Sequence, residues 1–155
     1  MKKLSIIFSC GFGIGLIPFA PGTFGSLLGI LLGLFLAKFS ITTFLISLII
    51  LFFIFSLMAK IAGQHWNEID CGKIVSDEIL GQAIPFILLI NSETNLMFFS
   101  LLAFILFRVF DILKPFPINK IDQIKNSFTV MLDDVVAGIF ACIMLLLINK
   151  FYLFF

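Results

Sequence analysis

The feature that most constrains this chain is the alternation of long apolar runs with two polar islands. The apolar runs cover 24–39, 41–59, 79–90, 96–107 and 135–149, and the islands run from Lys60 to Glu78 and from Arg108 to Asp134. A helix rising about 1.5 Å per residue needs about 20 apolar residues to cross roughly 30 Å of hydrocarbon. The 41–59 run meets that length, and the others reach it only by extending into flanking polar residues. Hydrophobic residues make up 61% of the chain and charged residues 12%, with a mean hydropathy of +1.22. An ordinary soluble domain carries about twice that charged fraction. The expectation is a single domain over 1–155, all-α and multihelical, an integral membrane protein with about four to five membrane helices plus a Gly-interrupted N-terminal segment.

That N-terminal segment begins Met1-Lys2-Lys3 and is apolar from Leu4 to Phe19, broken by Gly11, Gly13, Gly15 and Pro18. The interruptions predict a short helix or re-entrant piece rather than a straight span, and the apolar sequence that follows marks it as retained rather than a cleaved signal. The glycines do not make a dinucleotide loop, because Leu16 stands where GxGxxG needs its last Gly. Next comes Pro21-Gly22-Thr23-Phe24-Gly25-Ser26. Thr23 or Ser26 is a reasonable N-cap for the following helix, and hydroxyls and amides at a helix start can also receive an anion. The runs over 27–39 and 41–59 read as a helical hairpin, with Gly29 and Gly33 as a small-xxx-small pair suited to close helix contact. Pro85 is expected to kink the 79–90 segment. The tail from Phe151 to Phe155 resembles an interfacial aromatic anchor.

Threading the five runs through a bilayer puts the N-terminus and both islands on one side. Lys2, Lys3, Lys60, Lys73, Arg108, Lys114, Lys120 and Lys125 then share that side, with Lys38 and Lys150 opposite. The positive-inside rule makes the islands cytoplasmic. Every acid except Glu93 belongs to them, so the possible chemistry gathers on one membrane face. A net charge of +1 gives no basic field for nucleic acid. Three cysteines, Cys10, Cys71 and Cys142, have no CxxC spacing and speak against a disulfide framework or a zinc site.

Asp77-Glu78 begins one apolar run, Asp133-Asp134 begins another, and Arg108 and Asp111 lie three apart on one helical face. Helix capping accounts for single acids at helix starts, and Arg108 with Asp111 could be a plain interfacial ion pair. Capping needs one acid, however, and two of these places supply two. Adjacent ionised carboxylates within about 4 Å repel by roughly 4 kcal/mol at an effective dielectric near 20, so a cation is the natural partner. Magnesium prefers oxygen ligands and completes its shell with substrate phosphate. With Arg108, Lys73 and Lys114 nearby, the pattern suggests phosphoryl chemistry at a lipid–water interface, with the cation polarising the phosphoryl group and activating water. Other phosphatase designs are missing. No Cys precedes an Arg by six residues, no DxD occurs, and His65 is the only histidine, more plausibly structural or interfacial beside Trp66. A Walker loop is also lacking.

Four blocks carry a family resemblance: Pro18 to Ser26; Asp70 with Ile74-Val75-Ser76-Asp77-Glu78; Phe107 to Ile118; and Met131 to Gly138. In this order they resemble the phosphatidylglycerophosphatase A family. The resemblance implies a magnesium-dependent phosphatase of the bacterial inner membrane, active face cytoplasmic, that converts the glycerophospholipid phosphatidylglycerophosphate to phosphatidylglycerol. It places the matched residues at the site. Asp111, Asp133 and Asp134 are then the catalytic candidates, Arg108, Lys114, Thr23 and Ser26 the phosphate-binding ones, and Asp77, Glu78, Asp133 and Asp134 the Mg2+ ligands. The stretch between Pro117 and Phe128 departs from relatives in lacking their Gly and His, and Lys73 lies where relatives are expected to vary. Two alternatives stay open: a non-enzymatic cation-binding membrane protein, and a lipid phosphatase acting on phosphatidic acid, which also presents a phosphomonoester near the interface.

Overall fold

A computed structural model describes residues 2–69, 71–92, 95–124 and 126–152, with only the backbone described at 151 and 152. Asp70 of the second block, Glu93 and Lys125 of the charge pattern, and the side chains of the aromatic tail lie outside the described residues. Among the described residues the chain is all-α, without a strand. Its helices are α1 (Lys2–Ser9), α2 (Pro21–Leu36), α3 (Ile41–Trp66), α4 (Ser76–Ala83), α5 (Leu96–Leu113), α6 (Ile118–Asp122) and α7 (Ser127–Tyr152), with 3₁₀ turns over Gly11–Leu16 and Ile84–Leu89.

Local chemistry sets these boundaries. Ser40 Oγ accepts from Thr43 N at 3.2 Å to start α3, and Asn95 Oδ1 accepts from Met97 N and Phe98 N, both at 3.1 Å, to start α5. Asn67 and Lys114 end α3 and α5 in the left-handed region, at φ 55° and 42°. Neither Thr23 nor Ser26 caps α2. The cap position falls on Ala20, at φ 47° and with no side-chain bond; its backbone oxygen accepts from Thr23 N at 3.0 Å, and Pro21 at the first helical position has no N–H to satisfy. Beyond Ala83 the expected kink is a change of helix type, since Pro85 cannot donate to the α ladder and the chain tightens into the 3₁₀ turn.

Three helices are long and apolar enough to cross a membrane: Ile41–Trp66, Leu96–Leu113 and Ser127–Lys150. The apolar helix α2 has 16 residues, and 79–90 is split between the eight-residue α4 and its 3₁₀ turn. The spans turn large apolar side chains outward, Ile46, Ile49, Ile50 and Phe53 on α3 and Leu101 and Ile105 on α5. In water such a surface would aggregate; in hydrocarbon it is the expected outer face. The chain is a membrane protein.

The helical hairpin of α2 with α3 is not the main packing unit. The glycine face of α2 turns to α4 instead: a Cβ on Gly25 would lie 2.8 Å from Val75 Cβ, one on Gly29 2.6 Å from Ile79 O, and one on Gly33 2.6 Å from the Phe86 ring. Close contact therefore uses Gly29 and Gly33 as expected, but with a partner distant in sequence. Helices α4 and α7 approach more tightly still. A Cβ on Gly81 would lie 2.5 Å from Asp134 O, and one on Gly138 would overlap Gly81 O. A core of Phe44, Phe86, Phe99, Ala103 and Leu145 fills one end of the bundle, and Phe107, Ile118, Ala137 and Ala141 pack between α5, α6 and α7. Together these contacts bring the first turn of α4, the last turns of α5 and the upper part of α7 to one level.

Candidate active site

The acids expected at the start of the last membrane helix lie inside it. Asn126 Oδ1 accepts from Phe128 N and Thr129 N, both at 2.9 Å, so α7 begins at Ser127 and Asp133-Asp134 enter its second turn. Capping cannot explain them there, because the helix's unpaired N–H groups belong to its first turn and both acids lie beyond it. Both are buried, as is Asp77 in the first turn of α4.

Asp77, Glu78 and Asp134 converge: each offers a carboxylate oxygen within 4.8 Å of the others. Asp77 Oδ1 accepts from Glu78 N at 3.1 Å, which fixes its orientation. Glu78 Oε2 and Asp133 Oδ1 are buried and have no hydrogen-bond partner. An unsatisfied buried acceptor costs ~1–3 kcal/mol, more when charged, so the cluster is one ligand short of satisfaction. Burial pushes the Glu78 carboxyl up to about 7; its hydrogen bond with Asp77 opposes this, and the charges of Asp134 and Asp111 add to it. Burial first, and then the charge of Glu78, likewise hold Asp77 well above the usual carboxylate range. An all-oxygen donor set with an orphaned oxygen on Glu78 fits a hard divalent cation, which would return the acids to their ionised form.

Two cations border the cluster. Arg108 Nη1 donates to Asp111 at 2.6 Å and to Ser26 Oγ at 3.4 Å, and Ser26 Oγ donates to Gly22 O at 2.9 Å. The ion pair three residues apart on α5 is thus formed, and Ser26 joins it from α2. Thr23, in the same turn, makes no side-chain hydrogen bond among the described residues. Lys114, in its left-handed cap position, donates to Asp133 Oδ2 at 2.7 Å and also to Asp122 on α6. Burial pulls the Lys114 ammonium down, but its two carboxylate partners together outweigh that and hold it protonated.

Lys73 is not part of this arrangement. Its ammonium lies over the Trp66 ring at 5.3 Å from the centroid, and His65 packs against the same ring at 5.4 Å between centroids. Two participants went unnoticed in the sequence. Asp122 reaches Lys114 only because the left-handed turn at Lys114 folds α6 back, and no short-range spacing signals that. Gly22 reads as a turn residue, yet a Cβ there would overlap Glu78 Oε1 and sit 3.3 Å from Arg108 Nη1. Gly22→Ala is therefore expected to displace both charged groups. Their ends are flexible, so stability should change by less than about 1 kcal/mol. A misplacement near 1 Å can cost about 10²-fold in rate, so turnover should fall on that scale, read by phosphate release alongside thermal melting. A wild-type rate would show that Gly22 leaves no needed clearance.

Buried carboxylates beside a guanidinium and an ammonium in a bundle with membrane-length helices, together with the relatives that share this sequence, place the chain in the class of membrane phosphoric monoester hydrolases. The chain belongs to the phosphatidylglycerophosphatase A family, whose profile matches residues 7–149. A Phosphatidylglycerophosphatase A of Haemophilus influenzae is 39% identical over 160 aligned residues, 99% of this chain and 96% of the relative. One from Escherichia coli K12 is 33% identical over 144, covering 86% of this chain and 76% of the relative. A Bacteroides thetaiotaomicron protein, provisionally named a phosphatidylinositol-3-phosphatase, is 34% identical over 147, covering 92% and 91%. No solved structure matches the chain significantly. Family membership makes the chain an enzyme and retires the non-enzymatic alternative.

Proposed function

We propose that the chain hydrolyses the terminal phosphomonoester of phosphatidylglycerophosphate, giving phosphatidylglycerol and inorganic phosphate for phospholipid biosynthesis, at the cytoplasmic face of the bacterial inner membrane. The observation that carries this reading is the convergence of Asp77, Glu78 and Asp134 beside Arg108 in a chain of this family. Asp77, Glu78 and Asp134 would hold a magnesium ion, and that ion would supply positive charge toward the phosphoryl group. Arg108, anchored on one side by Asp111 and Ser26, directs its remaining N–H groups to the same oxygens. Asp133 is held at Oδ2 by Lys114 while its Oδ1 stays free, so it orients the attacking water and takes its proton. The new P–O bond forms from that water, the ester P–O bond breaks, and the glycerol oxygen leaves with a proton. The basic residues gathered on one side of the spans support a cytoplasmic site.

The name of the Bacteroides relative favours keeping a second headgroup in view, a phosphomonoester on inositol. A panel of phosphatidylglycerophosphate, phosphatidic acid and phosphatidylinositol 3-phosphate in mixed micelles with magnesium separates the readings. The highest kcat/KM is expected on phosphatidylglycerophosphate. Preference for either other lipid would move the assignment to that substrate.

A further inference from the structure

Gln82 on α4 is 0% exposed, yet neither the nitrogen nor the oxygen of its carboxamide has a hydrogen-bond partner among the described residues. Nearly all buried polar groups are paired, because an amide withdrawn from water without a partner is costly. A methionine of the same length would fill the position without that cost. The polar atoms therefore call for a ligand, and their place in the bundle says which. Gln82 follows Glu78 by four residues, one turn along the same face of α4. Both face the glycine side of α2. A Cβ on Gly22 would overlap Glu78 Oε1, and one on Gly29 would lie 2.7 and 3.1 Å from the Cβ and Cγ of Gln82. Between those glycines, on the same side of α2, stands Ser26, which accepts from Arg108 Nη1 at 3.4 Å.

Side chains on a helix lean toward its N-terminus, which carries the carboxamide of Gln82 back over the turn that holds Glu78. Glu78 Oε2 is itself buried and unpartnered. Two acceptors and one donor without partners thus share one face of α4, next to the carboxylates of Asp77 and Asp134. Their pairing can be completed in one way that uses all three. The Gln82 nitrogen answers the free oxygen of Glu78, as side chains four apart on a helix do. Gln82 Oε1 then needs a donor. A magnesium ion among carboxylates keeps several waters, whose hydrogens point away from it and need acceptors. We infer that Gln82 is a positioning residue of the cation site, its Nε2 steadying Glu78 and its Oε1 accepting from the hydration shell of the ion. This role rests on the cation reading proposed above and extends it to a neutral side chain.

Melting of the purified full chain in detergent, followed through a magnesium titration with no lipid substrate added, tests the role apart from turnover. Gln82→Met keeps the length of the side chain and removes its polar atoms. It should need about 10–100-fold more magnesium than the wild type for the same rise in melting point, the scale of losing a partner in the outer shell of a metal. Its melting point without cation should equal or exceed that of the wild type. Gln82→Glu keeps the accepting oxygen and adds a charge to the acids. It should melt lower without cation, yet need no more magnesium than the wild type for the same rise. A wild-type magnesium response in Gln82→Met would overturn the role and leave the acid site standing. So would an equally weakened response in Gln82→Met and Gln82→Glu, which marks packing rather than contact with the shell. No magnesium-induced rise in the wild type would overturn the acid site and this role with it.

Discussion

Asp134→Asn is expected to lower magnesium-dependent phosphate release by about 10²–10³-fold or more, the scale of losing one preorganised electrostatic contact to the reacting group. The substitution conserves shape and removes one negative charge from a buried group of like charges. The folded state should therefore hold its stability in the absence of cation, or gain some. Magnesium raises the melting point of the wild type if the acids bind it, because a ligand that binds only the folded state stabilises it by mass action. That increment should vanish in Asp134→Asn. Rate and melting curve together separate loss of a ligand from loss of the fold. A variant with wild-type turnover, or with the full magnesium-induced shift, would remove Asp134 from the site.

The second large effect concerns the fold that assembles the acids. Gly138→Leu places a side chain where even a Cβ would overlap the backbone oxygen of Gly81. Backbone cannot yield as a flexible side chain can, so α4 and α7 must separate. Overpacking of this kind costs about 1–3 kcal/mol, and for a chain of this length a melting point lower by roughly 3–10 °C follows. Separation also moves Asp77 and Glu78 away from Asp134, so activity should fall in the fraction that still folds. Gly72→Ala is the control, since nothing lies within 4 Å of the added carbon. Melting in detergent by circular dichroism reads both variants. An unshifted Gly138→Leu would mean that the helices do not touch there.

Much of the candidate site's arrangement was legible before the fold was known. The pairs Asp77-Glu78 and Asp133-Asp134 announced themselves by excess, two acids where a cap needs one, and the spacing of Arg108 and Asp111 gave their ion pair directly. Other features depended on contacts that no local pattern carries. The hairpin reading of α2 and α3 followed chain proximity, whereas the glycine face of α2 had a better complement in Val75, Ile79 and Phe86. The start of α7 was placed too late because hydropathy rises only at Val135, while the Asn126 cap that sets the boundary is a polar, local signal upstream of it. Lys73 looked like a phosphate ligand by charge alone, and its place over the Trp66 ring is a contact that no local sequence pattern carries. Asp122 and Gly22 entered the site through a left-handed turn and a backbone clearance, both invisible to residue type.

The central claim is that a cation held by Asp77, Glu78 and Asp134 drives hydrolysis of a lipid phosphomonoester. It is tested most directly by inorganic phosphate release from phosphatidylglycerophosphate micelles, measured with the purified chain after chelation of divalent ions and again after magnesium is restored. Release should stop on chelation and return with magnesium in the wild type, and fail to return in Asp134→Asn. Undiminished release in the presence of chelator would contradict the account.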